Sequence, residues 1–405
     1  MQSFTETLTT RLTPPLKVAV TGGSLGGLTV ALLLRDQGHD VTVYERSAHE
    51  LQERGAGIGL LPDSSRYLVQ QAGWSIDDFA TVTHHVRYLD RGGDMHVDIP
   101  RTYHFSAWNT VYRHLLAAFG RDRYMLGREA VGRDETDDAV TVRFADGSRV
   151  QADLLVAADG VNSTFRHQLM PQVQHQYAGY VAWRGMVPER DLPPAIAAMY
   201  DDSVVYHVFT NSHIVLYPIP GPGGSVTRGE RLINFVWYRN YAAGDELHSL
   251  LVDTAGVHHD MSLPPGAVRA EHVAEMRATA MARLPDAISR VVLAVQQPFL
   301  QVVNDVEIAH MAFGRTCLIG DAGFLVRPHA AAGTAKAAAN AWALADALAS
   351  HNDVRTALAA WEVEQLQLGR QLLARTRRIG TRLQFTGDWD PYHSDAFFRL
   401  REDGV

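Results

Sequence analysis

Leu16 to Val20 is a short apolar run rich in β-branched residues, Leu25 to Gln37 repeats its apolar side chains at helical spacing up to Gly38, and Val41 to Tyr44 returns to a compact β-type run. The pattern predicts strand, helix and strand: a βαβ unit with a glycine C-cap on its helix. Further strands are predicted at Val140 to Phe144, ahead of the turn Asp146-Gly147, and at Leu154 to Ala157. From Tyr177 to about Tyr241 the pattern changes. YVAWRGMV, SVVYHVF, HIVLYPIP and LINFVWY are aromatic and β-branched runs bounded by Pro and Gly, which predicts a broad antiparallel sheet. A helix is expected over Ala270 to Leu284, a strand over Thr316 to Ile319, an alanine-rich helix from Thr334 to Ala349, and more helix from Val354 to Leu383. No repeat or low-complexity linker divides these stretches, so two units are expected to interleave along the chain.

Composition narrows the class. With 405 residues, 46% hydrophobic and 20% charged, the chain has material for two or three packed units. A net charge of -8 and the lack of a concentrated basic run make nucleic acid a poor partner. The densest basic cluster, RTRR at Arg375 to Arg378, is expected to be a solvated helix face. A lone cysteine, Cys317, excludes an intrachain disulfide framework and a dithiol redox pair, which fits a cytoplasmic protein, and is expected to be a buried apolar residue. No apolar run reaches membrane-span length, MQSFTETLTTRLTPP at residues 1–15 reads as a loose tail and not a secretory signal, and no metal site is expected.

Three segments carry chemistry. In GGSLGG, Gly22 to Gly27, the first strand empties into a glycine turn whose helix N-terminus offers unpaired N–H groups to a phosphate; Glu45, twenty-three residues past Gly22, stands where an acid accepts from a ribose diol. Ser24 occupies the position usually held by a second glycine, where serine is also a favoured helix N-cap. LLVAADGVNSTFR, Leu154 to Arg166, delivers a buried strand into Asp159-Gly160, with Ser163 and Arg166 behind it. CLIGDAGFLVRPHAAAGTAKAAANAWALADAL, Cys317 to Leu348, runs strand, Gly320-Asp321, a loop with Pro328, and then Gly333 opening a helix; Asp321 can accept from a ribityl hydroxyl, and the amides of Gly333 and Thr334 can face negative charge on a flavin ring.

In this order and at these separations, the three segments resemble the class A flavoprotein aromatic hydroxylases, the para-hydroxybenzoate hydroxylase fold, over about residues 16–385. GGS in the fingerprint, YAGYVAWRG (Tyr177 to Gly185), YPIPG (Tyr217 to Gly221) and RPHAAAG (Arg327 to Gly333) are most similar to the branch that acts on hydroxylated pyridines. The resemblance implies an α/β fold in which a Rossmann-like FAD-binding domain (16–88, 102–176 and 298–349) interleaves with an antiparallel-sheet substrate domain (89–101 and 177–297), followed by a C-terminal helical segment and tail (350–405). It implies an NAD(P)H-dependent monooxygenase that takes NADPH or NADH as transient co-substrate. O2 would be used to hydroxylate a small electron-rich aromatic or hydroxypyridine-like ring through a flavin C4a-hydroperoxide, in a homodimer. A flavin-dependent reductase or oxidase on the same fold, and a redox-controlled binding flavoprotein, are the alternatives. The FAD contacts it implies are Gly22, Ser24, Gly26, Gly27, Glu45, Arg46, Asp159, Gly160, Asp321, Pro328, Gly333 and Thr334.

Departures from the family pattern are Gly323-Phe324 for Ala-His, Ala330 read as replacing the first loop glycine, Ala335 where asparagine is common, and Tyr112 and Arg113 near the place of a diphosphate-binding arginine. Proton removal from a ring hydroxyl calls for a base with a pKa near working pH, which nominates histidine. His329 in the flavin loop leads, with His213 and then His207 on pocket strands, Pro328 through its carbonyl, and Tyr217 beside them; Tyr180 and Arg184 can also face the pocket, while Trp183 is expected in the core.

Overall fold

The computed structural model describes residues 15–51 and 56–401, so most of the expected N-terminal tail lies outside the described residues. β1 (Lys17–Thr21), α1 (Leu25–Asp36) and β2 (Asp40–Tyr44) form the expected unit, with β1 pairing in parallel to β2 on one side and to β3 (Leu154–Ala157) on the other. A parallel strand Thr316–Leu318 extends the sheet beyond β3, which brings the Asp159 and Asp321 turns to the same edge as the Gly22 turn. These strands are buried on both faces and read as continuous apolar runs for that reason. A meander of Ala130–Glu135, Val140–Phe144 and Arg149–Ala152 forms a separate three-stranded sheet.

Nine strands make the second sheet. Its centre is β4 (Gln176–Pro188), β5 (Ser203–Phe209), β6 (Ser212–Ile219) and β7 (Leu232–Asn240), in the order β4, β7, β6, β5. The strands Gly57–Leu60, Thr81–Leu89, Met95–Ala107 and Phe299–Asp305 also belong to it. Its membership therefore departs from the expected partition, which gave most of these residues to the FAD-binding unit. The cause is pairing between distant segments: Thr81–Leu89 lies parallel to β5, and Phe299–Asp305 lies antiparallel to β4. Trp183, Trp237 and Phe235 fill the core on the far face, covered by the helices Ala270–Arg283 and Asp286–Ala294.

Two long helices follow the Asp321 loop: α2 (Gly333–Ser350), packed on α1, and α3 (Val354–Thr381), which runs into a π-helical turn at Arg382–Thr386. The RTRR cluster at the end of α3 is not the solvated face expected. Arg375 is 1% exposed and donates to the carbonyls of Arg399 (2.8 Å) and Phe397 (2.5 Å). Arg377 pairs with Asp305 and Glu307, and Arg378 with Asp395. The cluster ties down the C-terminal segment, whose unpaired carbonyls need donors wherever it is buried. Cys317 is fully buried, and burial pushes its thiol pKa up, as suits an inert packing residue. Among the described residues no helix is long and apolar enough to cross a membrane.

Candidate active site

A chamber of about 690 Å³ runs from the Gly22 turn to the near face of the nine-stranded sheet. Its first half is backbone. Gly22 takes φ +96°, and a Cβ there would lie 2.3 Å from the Ala158 carbonyl oxygen; a Cβ on Gly27 would lie 1.9 Å from the Gly22 oxygen. Both glycines are therefore demanded by how closely β1, α1 and the Asp159 turn approach. Ser24 is the N-cap of α1 but makes no capping hydrogen bond, and it lines the chamber. Glu45 is buried and accepts from the N–H of Gly23 (2.8 Å) and of Ser47 (2.9 Å), one bond per oxygen, leaving lone pairs for a diol. Arg46 is exposed at the rim.

Asp159 carries an orphan. Its Oδ1 is buried without a hydrogen-bond partner, and burial raises its pKa despite bonds that favour the carboxylate. A buried unpartnered carboxyl oxygen facing a chamber is the mark of a site built for a donor. Asp321 holds Lys336 Nζ at 2.9 Å through Oδ1, so its other oxygen is the one available to a ligand. Arg166, fully buried, donates to the carbonyls of Asp321, Ala322 and Val161 and so locks the two acidic turns together. Gly333 and Thr334 open α2 against the chamber. Tyr112 and Arg113 do not line it: the Tyr112 hydroxyl meets Tyr124 and the Leu51 amide, and Arg113 points towards Gly224. Glycine cradle, orphaned acid, ribose-facing acid and helix N-terminus together fit FAD.

The loop after Asp321 explains the departures from the family pattern. Phe324 is buried against Gly369 of α3, where a Cβ would sit 2.3 Å from its ring, so the aromatic side chain is there for packing. The residue in the left-handed region is Ala331 (φ 52°, ψ 24°) and not Ala330, which is an ordinary member of the turn Pro328–Ala330. Ala331 is thus the one that stands where glycine would relieve strain, at a cost of about 1 kcal/mol. The Pro328 carbonyl accepts the Ala331 N–H at 3.0 Å, so that turn already engages it.

The second half of the chamber is made of side chains. His329 is 9% exposed, its Nε2 is 2.7 Å from the Tyr180 hydroxyl, and its Nδ1 is buried without a partner. His213 is 1% exposed, stacks on Tyr238 at 4.4 Å and meets the Gln384 amide. Burial pushes the His213 pKa down to about 3 and holds that of His329 well below its ordinary value, aided by His213 and Arg327. Desolvation thus favours the neutral form of both imidazoles, with pKa values below the near-neutral one expected of a base. Tyr217 gives its hydroxyl to the Gly57 carbonyl (3.1 Å), which Arg184 also holds (2.9 Å). His207 faces away, bonded to the Leu89 carbonyl, because strand alternation turns its neighbour Tyr206 inward. Ile379 and Leu383 of the helical segment, with Trp389 and Phe398 of the clamped C-terminal stretch, line the chamber as well. Tyr206, Tyr238 and Gln384 were not foreseen; only the two-residue alternation of β5 and β7, once registered, singles out the tyrosines.

Fold and chamber define a dinucleotide-binding flavoprotein with a cavity over an antiparallel sheet. A family model described as FAD binding domain-like matches residues 177–305, the sheet part of the chain. The chain is 35% identical to 2,6-dihydroxypyridine 3-monooxygenase of Paenarthrobacter nicotinovorans over 390 residues, 95% of this chain and 96% of that protein. It is 25% identical to the FAD-dependent urate hydroxylase of Klebsiella pneumoniae over 401 residues, 96% and 95% of the two chains. The solved structure of 2,6-dihydroxypyridine-3-hydroxylase from Arthrobacter nicotinovorans matches with a TM-score of 0.91 at 33% identity, covering 97% of this chain and 100% of that one. The chain belongs to the FAD-dependent aromatic-ring hydroxylases, monooxygenases that use NAD(P)H and O2.

Proposed function

We propose that the protein hydroxylates a small hydroxypyridine-type ring. The observation that carries this reading is that one chamber joins the dinucleotide cradle to a buried floor of hydrogen-bonding side chains, in a chain similar over 95% of its length to a dihydroxypyridine monooxygenase. Gly22, Ser24, Gly26 and Gly27 would hold the diphosphate of FAD, Glu45 the ribose, Arg46 the outer phosphate edge, Asp159 and Gly160 the middle of the cofactor, and Asp321 the ribityl chain. Pro328, Gly333 and Thr334 would face the ring system, with the helix N-terminus favouring negative charge there. Bound FAD supplies reduction by NAD(P)H and activation of dioxygen.

The chain's own residues do the rest. Val215, Val236 and Ala182 give the substrate ring an apolar bed, and Ile379, Leu383, Trp389 and Phe398 exclude water from above. His329 and His213, held neutral, act as hydrogen-bonding partners for the ring hydroxyl; a proton taken up by either imidazole would be stabilised by the ring anion it leaves behind. Tyr217 and Arg184 fix the Gly57 backbone at the flavin end. The resemblance also carries a homodimer and a cytoplasmic setting, which sedimentation and fractionation would check. The direct test is NAD(P)H oxidation by the FAD-loaded protein in a panel of hydroxypyridines, hydroxynicotinates and phenols. Stimulation by hydroxypyridines is expected; no stimulation by any ring, or failure to bind FAD, defeats the reading.

A further inference from the structure

The chamber floor follows from strand register. Tyr206, Val215, Val236 and Arg184 stand in one row across β5, β6, β7 and β4, and His213 and Tyr238 stand opposite each other in the next row. Tyr206 and Tyr238 are 8% and 4% exposed, and their rings are fixed: Tyr206 stacks on Tyr88 at 5.0 Å and Tyr238 on His213 at 4.4 Å. No hydrogen bond joins either hydroxyl to another of the described residues, and both residues line the chamber. The contrast with their neighbours is informative. Tyr180 meets His329, Tyr217 donates to Gly57, and the Tyr88 hydroxyl accepts from Trp389. Buried tyrosine hydroxyls ordinarily find a partner, and here two rigid ones are left open on the same cavity.

Charge decides what such a wall can take. The two phenols and the His213 imidazole carry no charge of their own, so any counter-charge at this wall comes from the chamber's arginines, Arg184 and Arg327, of which Arg327 is paired with Asp305. Arg184 lies at the other end of the Tyr206 row, three strand spacings or about 14 Å across the sheet, but stands diagonal to Tyr238 on the adjoining strand, where its charge acts on that phenol, and it is held by Gln301 and the Gly57 carbonyl. Between the tyrosines, Val215 and Val236 suit the flat face of a ring.

We propose that the Tyr206 and Tyr238 hydroxyls bind two polar substituents of the same ring, and so select a dihydroxylated N-heterocycle over rings carrying one hydroxyl. The proposal rests on the function proposed above. It is tested by titrating the FAD-loaded protein with 2,6-dihydroxypyridine and with 2-hydroxypyridine, following the flavin absorbance, for the wild type, Tyr206→Phe and Tyr238→Phe. Each variant should bind 2,6-dihydroxypyridine about tenfold more weakly, the loss of one hydrogen bond. At least one variant should bind 2-hydroxypyridine as the wild type does, an outcome that general damage to the fold would not give. The proposal is overturned if both variants bind both rings like the wild type, if both rings weaken equally in both variants, or if the wild type fails to bind 2,6-dihydroxypyridine at millimolar concentration. The expected binding pattern without any NAD(P)H-dependent turnover would defeat the hydroxylase reading and leave this proposal standing.

Discussion

Gly27→Ala puts a methyl group where α1 meets the cofactor turn. The added Cβ would lie 1.9 Å from the Gly22 carbonyl oxygen and 3.5 Å from the Ala158 side chain, whereas real Cβ atoms keep beyond 3.0 Å. Neither neighbour is a flexible side-chain end: Gly22 is held by its amide to the Tyr44 carbonyl, and α1 is buried along most of its length. The helix must therefore retreat by about 1 Å, an overpacking that costs about 1 to 3 kcal/mol. Because the N–H groups displaced are those proposed to hold the diphosphate, most of this cost should fall on cofactor binding. The dissociation constant for FAD should rise by roughly 10- to 100-fold. Flavin fluorescence quenching on titration of deflavinated protein measures it, with circular dichroism to confirm that the variant is folded. Gly26→Ala, which meets the Ala337 methyl at 3.0 Å, should cost less. A folded Gly27→Ala protein with an FAD affinity within about threefold of wild type would refute the placement of the diphosphate at this turn.

Other residues make separate predictions. Ser24→Gly should keep FAD and Ser24→Val, branched and unable to donate, should weaken it; equal retention would show that the position stands away from the diphosphate. With folded-state pKa values of about 3 for His213 and well below 6.5 for His329, the unfolded chain takes up protons that the folded chain refuses once pH falls below about 6.5. Stability should thus decline as pH falls through that window, by about 1.4 kcal/mol per pH unit for each histidine. The melting temperature should drop from pH 7 to pH 5, His213→Gln should flatten the drop, and an unchanged slope would contradict the burial argument. Arg375→Met removes the buried cation that holds the C-terminal segment, at a cost of order 3 kcal/mol. It should lower the melting temperature and divert NAD(P)H oxidation to hydrogen peroxide; wild-type melting with full coupling would contradict a structural role for the clamp.

What the sequence disclosed was local. The βαβ unit, the Asp159 and Asp321 turns and the long helices show because apolar periodicity and glycine placement are decided within a few residues of each other. Pairing between distant strands is not written that way, so nothing near Thr81 or Phe299 announced that these strands close the substrate sheet. Burial is equally non-local. Arg375 reads as a surface charge until the Phe397 and Arg399 carbonyls are placed around it, and His213 reads as a base until Tyr238 and Gln384 enclose it. The loop position that calls for glycine lies one residue beyond Ala330, because only φ at Ala331 shows where the left-handed turn falls. Tyr206 and Tyr238 looked like any aromatic strand residues; what distinguishes them is a hydroxyl left without a partner, and no sequence pattern records that.

Oxygen transfer to a hydroxypyridine ring is the chemistry proposed for the chamber. Turnover of the FAD-loaded enzyme with NAD(P)H and 2,6-dihydroxypyridine under ¹⁸O₂ tests it, with the product analysed by mass spectrometry. A product bearing a single new hydroxyl group whose oxygen is ¹⁸O is expected. Coupled consumption of NAD(P)H that leaves the ring without ¹⁸O would contradict it and point to a reductase or oxidase.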